Sequence, residues 1–96
     1  MYILVTYDVN TETLSGQRRL RKVSKLCQNF GQRVQNSVFE CVLTEAQLAE
    51  LKNNLQNTID DSSDSIRIYY LNKNENRRVY TIGLNTAIDV EDSLII

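Results

Sequence analysis

The order of strand-like and helix-like segments is the feature that most constrains how this chain can fold. The opening stretch YILVTYDV, residues 2–9, is rich in apolar, β-branched and aromatic residues, which predicts a buried strand. Residues 17–31, QRRLRKVSKLCQNFG, predict the first helix, and Gly31 lies where a C′ glycine would end it. The apolar stripe of that helix consists of Leu20, Val23, Leu26, Cys27 and Phe30.

The segment QRVQNSVFECVL, residues 32–43, is strand-like, because its apolar side chains alternate between two faces. One face carries Phe39, Cys41 and Leu43. The one turn-like point is the pair Asn36-Ser37. Residues 33–43 therefore form either one bent strand or two short strands in a tight hairpin, and periodicity does not decide between them.

The rest of the chain continues the alternation of elements. TEAQLAELKNNLQNTID, residues 44–60, predicts a second helix that begins with a capping box of Thr44 and Gln47. Its core positions are Leu48, Leu51, Leu55 and Ile59. DDSSDS, residues 60–65, predicts a solvated acidic loop, because its spacing does not fit a calcium loop. SIRIYYL and VYTIGL predict two strands around a polar turn, and the chain ends in the apolar SLII.

This order predicts a single α+β domain over residues 1–96, a ferredoxin-like βαββαβ sandwich with an extra C-terminal strand. Both helices would lie on one face of the sheet. Since no third helix is available to cover the other face, we expect a homodimer that packs through the sheets. The apolar tail, residues 88–96, would pair with the partner subunit.

Composition excludes several classes of protein. No apolar run approaches the roughly 20 residues that span a bilayer and no signal peptide precedes the first strand, so we expect a cytoplasmic protein without a membrane partner. The chain contains no histidine, which excludes Ser-His and Cys-His nucleophile pairs and argues against zinc. Cys27 and Cys41 are predicted to be reduced thiols in the core. Any chemistry must therefore use carboxylates, a metal, or both.

A net charge of −1 hides a strong separation of charge along the chain. Residues 17–33 carry six basic side chains and no acid, whereas residues 37–65 carry six acids and one lysine. On a helical wheel, the side opposite the apolar stripe of the first helix holds Arg18, Arg21, Lys22 and Lys25, with Arg19 near the edge of the stripe. Such a face is either simply solvated or binds phosphates, and the lack of acids for i,i+4 pairs favours phosphate.

Three features together resemble a known family. They are a first strand ending in TYDV, a basic helix, and RVQNSVFEC before a leucine-rich helix and IRIYYL. This combination is similar to the small CRISPR-associated adaptation nucleases called Cas-two. The resemblance covers essentially the whole chain, and RVQNSVFE at this distance from a strand that ends in Asp is its most specific element.

The resemblance implies a ferredoxin-like homodimer in which Asp8 of each subunit faces its counterpart across the two-fold axis. It further implies a metal-dependent endonuclease that acts on double-stranded DNA or RNA, with Mg²⁺ as its cofactor and Mn²⁺ as a substitute. Members also form the central dimer of the spacer-acquisition complex, between dimers of the integrase Cas-one. The nucleic acid is expected to contact Arg18, Arg19, Lys22, Lys25, Arg33, Arg77 and Arg78.

The chemistry of a carboxylate suits this role for Asp8. Two strand-end carboxylates on a symmetric interface can share one Mg²⁺, whereas without a metal they would repel each other. The alternative is that Asp8 only ends its strand or caps a helix. One carboxylate per subunit predicts a nuclease of low efficiency, and a non-catalytic DNA-binding scaffold that bridges integrase dimers is the competing function. RNA and DNA substrates cannot be distinguished from the residues.

Overall fold

The computed structural model describes residues 1–71 and 78–84, with the side chain of Arg78 left out of the description. In chain order the elements are β1 Tyr2–Asp8, α1 Leu14–Phe30, β2 Gln32–Gln35, β3 Val38–Val42, α2 Glu45–Thr58, β4 Ser65–Tyr70 and β5 Arg78–Gly83. The predicted pairing of the tail, residues 88–96, with a partner lies outside the described residues, as does Arg77.

The strands form one sheet in the order β2-β3-β1-β4-β5, and every neighbouring pair is antiparallel. The order of the first four strands is that of a ferredoxin-like fold, and β5 extends the sheet beside β4. The predicted α+β fold is therefore confirmed. Strand β1 is central, so the first strand predicted from the sequence is the one that the rest of the sheet is built around.

Residues 33–43 form a hairpin and not one bent strand. Asn36 and Ser37 make the turn between β2 and β3. The pairing register shifts between Arg33 and Gln35, so the hairpin contains an irregularity next to its turn. Such an irregularity breaks strict alternation, which is why periodicity left the two possibilities open.

Helix α1 begins three residues before the predicted start. Thr13 is its N-cap, and the Thr13 hydroxyl accepts a hydrogen bond from the backbone N–H of Gly16 at 3.0 Å. Gly31 ends the helix as predicted, but its φ of −163° is extended backbone and not the left-handed conformation of a C′ glycine. A Cβ at Gly31 would overlap the carbonyl oxygen of Glu40, so glycine is needed there for space.

The core lies between the sheet and both helices. Side chains from alternate positions of the strands meet those of the helices, and the fully buried set includes Ile3, Val5, Val23, Cys27, Phe39, Leu51, Leu55, Ile66 and Ile68. Helix α2 begins with the predicted capping box of Thr44 and Gln47. Within the described ranges, neither helix is long and apolar enough to cross a membrane.

Both cysteines are buried free thiols, as predicted. Burial raises the pKa of Cys27 to about 12, and the neighbouring Cys41 adds to the shift. Neither thiol is therefore suited to act as a nucleophile at neutral pH.

The opposite face of the sheet is open. Residues Tyr2, Leu4, Thr6 and Asp8 of β1 alternate with the buried residues of that strand and point away from the helices. On the neighbouring strand, Val42 is 78% exposed. Among the residues that the structure describes, no element covers this face.

Candidate functional site

Asp8 is the last residue of the central strand, and its side chain is exposed on the open face. Its Cα partner on β4 is Ser65, and Thr6, on the same face, is paired with Arg67. These residues line a shallow depression that consists of Thr6, Tyr7, Asp8, Ser65, Arg67 and Tyr69. Two adjacent strands thus place a carboxylate, hydroxyl groups and a guanidinium around one solvent-accessible hollow.

The structure argues against a capping role for Asp8. Within residues 1–71 and 78–84 the Asp8 carboxylate has no hydrogen-bond or ion-pair partner, and helix α1 is capped by Thr13 instead. An exposed acid at a strand end that has no hydrogen bond or ion pair within the described residues adds little to the stability of the fold.

The oxygen atoms near Asp8 are few for a metal site within one chain. Among the described residues, no group of three or more Asp, Glu, His or Cys side chains could hold a metal ion. Mg²⁺ is often bound through only one or two carboxylates and keeps several waters. The donor set fits that ion if a second copy of the chain supplies the second Asp8, with the hydroxyl groups of Thr6 and Ser65 beside the carboxylate.

The predicted basic face of helix α1 is present. Arg18, Arg21, Lys22 and Lys25 are all exposed. Arg21 and Lys25 line a groove of about 500 Å³ between α1 and the β2–β3 hairpin, together with Arg33. The other residues along the groove are Tyr7, Leu20, Ser24, Gln28, Asn36 and Ser37, so none of the lining residues is acidic. Arg21 was not among the residues expected to contact nucleic acid, although the wheel had placed it on the right face.

Arg33 is held in the groove by its neighbours. Its guanidinium donates to the carbonyl oxygen of Asn36 at 3.3 Å and to the hydroxyl of Ser24, and it lies 5.1 Å from the centre of the Phe39 ring. These contacts fix the cation between the helix and the hairpin. A guanidinium that is held in place loses less side-chain entropy when it binds an anion.

The groove and the Asp8 depression lie at the same end of the sheet but on opposite faces of it. Tyr7 lines both of them, because it directly precedes Asp8 on β1. The Tyr7 side chain is buried on the helix face, and its hydroxyl donates to the carbonyl oxygen of Asn36 at 3.1 Å. Cations and carboxylate are thus placed at the same end of the sheet.

Arg19 forms an ion pair within the chain, and its predicted contact with nucleic acid stays a prediction. Its Nε lies 2.7 Å from Oδ2 of Asp64, and the Asp64 side chain is fully buried. The prediction of a solvated acidic loop is therefore wrong for Asp64. Burial raises the pKa of Asp64, but Arg19 and the N–H groups of Asp60 and Asn10 outweigh it, so this pKa lies below its ordinary value. In the sequence, the ion pair is indicated by the position of Arg19 at the edge of the apolar stripe.

The two remaining basic residues are not located by the structure. Arg77 lies outside the described residues, and for Arg78 only the backbone, at the start of β5, is described. Their predicted contact with nucleic acid stays a prediction.

Comparison with known proteins gave consistent matches. The family model for CRISPR associated protein Cas2 matches residues 1–79. The chain is 54% identical over 95 residues to the CRISPR-associated endonuclease Cas2 of Halalkalibacterium halodurans, covering 99% of each chain. It is 51% identical over 96 residues to the CRISPR-associated endoribonuclease Cas2 1 of Moorella thermoacetica, covering 100% of each. Among solved structures, Streptococcus pyogenes Cas2 at pH 6.5 has 59% identity and a TM-score of 0.71, over 77% of this chain and 89% of that one.

Proposed function

Because this chain belongs to the CRISPR associated protein Cas2 family, we propose that it is an endonuclease that hydrolyses phosphodiester bonds in RNA or DNA with Mg²⁺ held at Asp8. Its relatives are named endonuclease or endoribonuclease, and that activity is carried over to this chain as part of the proposal. Asp8 is the residue assigned to catalysis, and the cytoplasm is the expected compartment.

The observation that carries the proposal is the exposed Asp8 carboxylate at the same end of the sheet as a basic groove. Phosphodiesters are anions, and a groove lined by Arg21, Lys25 and Arg33 without a lining acid attracts their backbone. Because the groove and Asp8 lie on opposite faces at one end of the sheet, a nucleic acid that reaches both must pass around that end. Contacts of this kind read phosphates and not base edges, so binding should be indifferent to sequence.

Each group in the site has a separate task. Asp8 of two subunits would hold Mg²⁺, and the groove cations would bind the phosphate backbone elsewhere along the same nucleic acid. When bound, the ion supplies a lowered pKa for an attacking water and neutralises charge that develops on the phosphoryl oxygens. The homodimer belongs to this proposal, because one chain offers a single carboxylate at this point.

A scaffold function is the second candidate. The small donor set of the described residues favours it, since proficient nucleases usually cluster several acids. In that case the homodimer holds double-stranded DNA and serves as a docking platform for the CRISPR integrase Cas-one during spacer acquisition. The two functions are compatible, because the groove and exposed basic face serve both.

The deciding experiment compares wild type with Asp8→Asn in two assays. In the first, RNA and double-stranded DNA are incubated with Mg²⁺, with Mn²⁺ or with a chelator. In the second, spacer integration is followed with the cognate integrase. The nuclease proposal expects Asp8→Asn to lose metal-dependent cleavage and to keep integration. Equal cleavage by both proteins, in preparations checked for contaminating nucleases, would leave the scaffold function.

A further inference from the structure

The loop that follows Asp8 is anchored by a buried carboxylate. Two residues after Asp8, the backbone N–H of Asn10 donates to Oδ1 of Asp64 at 3.0 Å. Asp64 is 0% exposed and comes from the loop between α2 and β4. A fully buried carboxylate is costly, so it is retained only where its hydrogen bonds are well made.

Both oxygens of Asp64 are engaged. Oδ1 accepts from Asn10 and lies 3.4 Å from Nη2 of Arg19, and Oδ2 accepts from Nε of Arg19 at 2.7 Å and from the N–H of Asp60 at 2.9 Å. The forked guanidinium fixes the plane of the carboxylate, which in turn fixes the direction of the bond to Asn10. Arg19 itself is steadied by a 3.0 Å bond from Nη1 to the hydroxyl of Ser15.

Asn10 is also held from the side of helix α1. A Cβ added to Gly16 would overlap the carbonyl oxygen of Asn10, so that carbonyl rests directly on the glycine. The Asn10 side chain accepts from the N–H of Glu12 at 2.9 Å and closes the turn into the helix. The backbone of Asn10 is therefore fixed on both of its polar groups.

Asp8 depends on this anchor because β1 is no longer paired with β3 at this residue. The pairing of β1 with β3 ends at Thr6 and Val38, followed only by the 3.1 Å bond from the N–H of Tyr7 to the carbonyl oxygen of Ser37. On the other side Asp8 is paired with Ser65, the residue after Asp64. Two adjacent residues, Asp64 at the end of the loop and Ser65 at the start of β4, thus hold the chain at Asn10 and at Asp8.

We propose that Asp64 is a positioning residue for Asp8: through its bond to Asn10 it fixes where the end of β1 directs the Asp8 carboxylate. The inference rests on the proposed function, in which Asp8 binds a metal ion. Two carboxylates that share one ion must be placed closely, because displacements near 1 Å already cost about 100-fold in rate. Groups behind the ligands of a metal site commonly change affinity or activity by about 10- to 100-fold.

The test uses two variants that disturb Asn10 from opposite sides. Asp64→Asn keeps the size of the side chain but loses its charge and the paired contact with Arg19. Gly16→Ala leaves Asp64 intact and pushes on the carbonyl of Asn10. Leu48→Ala is the control, because Leu48 is also buried, at 4% exposure, but lies near the start of α2. Helix α2 starts after the end of β3 that pairs with Tyr2, which is the opposite end of β1 from Asp8.

Three quantities are measured on the full chain, at a temperature where circular dichroism shows each variant to be folded. They are Mn²⁺ affinity by electron paramagnetic resonance, the Mg²⁺ concentration that gives half-maximal cleavage, and RNA affinity without metal. Asp64→Asn and Gly16→Ala should weaken Mn²⁺ binding and raise the Mg²⁺ requirement by at least about tenfold, while RNA affinity stays within about twofold. Leu48→Ala should change none of the three, whatever it does to stability.

Two contrary results have different meanings. If both variants bind Mn²⁺ as wild type does while Asp8→Asn does not, the positioning role is wrong and the proposed function stands. If Asp8→Asn itself binds Mn²⁺ and cleaves like wild type, the proposed function fails and the positioning role fails with it. Should Asp64→Asn not fold, Gly16→Ala alone decides, because it retains the buried ion pair.

Discussion

Removing the buried carboxylate with Asp64→Ala should strongly destabilise the fold. The change leaves the N–H groups of Asn10 and Asp60 without their acceptor and takes away the partner of Arg19. Each orphaned buried donor costs about 1 kcal/mol or more, and breaking a buried pair costs about 3–5 kcal/mol. Arg19 is 17% exposed, so water can solvate part of its guanidinium, and the lower figure of about 3 kcal/mol applies.

That loss is large for a chain of 96 residues. Such a domain is stable by about 5–15 kcal/mol, and 1 kcal/mol corresponds to about 4–8 °C in Tm, so a loss of about 3 kcal/mol in Asp64→Ala should lower Tm by about 12–24 °C. Urea unfolding followed by circular dichroism at pH 7 measures the change. The matched control is Asp61→Ala, an exposed acid of the same loop that only accepts from the Gln56 side chain, and it should leave the unfolding midpoint nearly unchanged.

The stability difference between wild type and Asp64→Ala should depend on pH. The pKa of Asp64 is lowered in the folded chain, against the effect of burial, by Arg19 and two N–H groups. A lowered pKa stabilises the fold above the value of the unfolded chain, about 3.9, and this stabilisation is lost as the pH falls through the folded value. The difference between wild type and Asp64→Ala should therefore be constant near neutral pH and shrink below about pH 4. Equal stability of Asp64→Ala and Asp61→Ala at pH 7, or a difference that persists unchanged at pH 2, would refute this account.

Three further predictions concern assembly, substrate and catalysis. Asp8→Asn should reduce Mg²⁺-dependent cleavage by orders of magnitude without loss of stability, measured by gel assay beside thermal unfolding; a poorly folded variant would instead reveal a structural role. Changing Arg21 and Lys25 together to Ala should lower the slope of log affinity against log salt by about 1.5–2, because two phosphate contacts are lost, and an unchanged slope would place the nucleic acid elsewhere. Leu4→Glu, at the middle of the open face, should convert a dimer to monomer in sedimentation, and a dimer of unchanged affinity would move the interface off this face.

Local signals were sufficient to predict most of the fold. Helix α2 was placed well because a capping box and leucines at core spacing point to the same element. The start of α1 was placed too late, since the residues before it resemble a turn in composition. Gly16 belongs to the helix because its lack of a side chain lets Asn10 approach, and a contact across a loop leaves no trace in local periodicity.

Asp64 illustrates a different limit of sequence reasoning. The three aspartates and three serines of residues 60–65 predict a solvated loop by composition. Composition does not identify which of these acids is buried and paired with an arginine far away in the sequence. The pair is separated by 45 residues, so only the pairing of β1 with β4 brings it together. The sequence holds one weak indication of this ion pair, because Arg19 lies at the edge of the apolar stripe and not in the middle of the basic face.

Asp8 shows the reverse relation between local and distant structure. Its place at a strand end is evident from YILVTYDV, and the structure confirms it, yet within the described chain the carboxylate forms no hydrogen bond or ion pair. The stability of the described fold therefore does not explain why this residue is an acid. If Asp8 of a second subunit faces it, the two carboxylates repel each other without a cation, and a cation bound between them holds the subunits together. Metal ions should then strengthen the wild-type dimer and leave Asp8→Asn unaffected, which sedimentation with Mg²⁺ or with a chelator would measure; a dimer of equal affinity under both conditions would separate Asp8 from the interface.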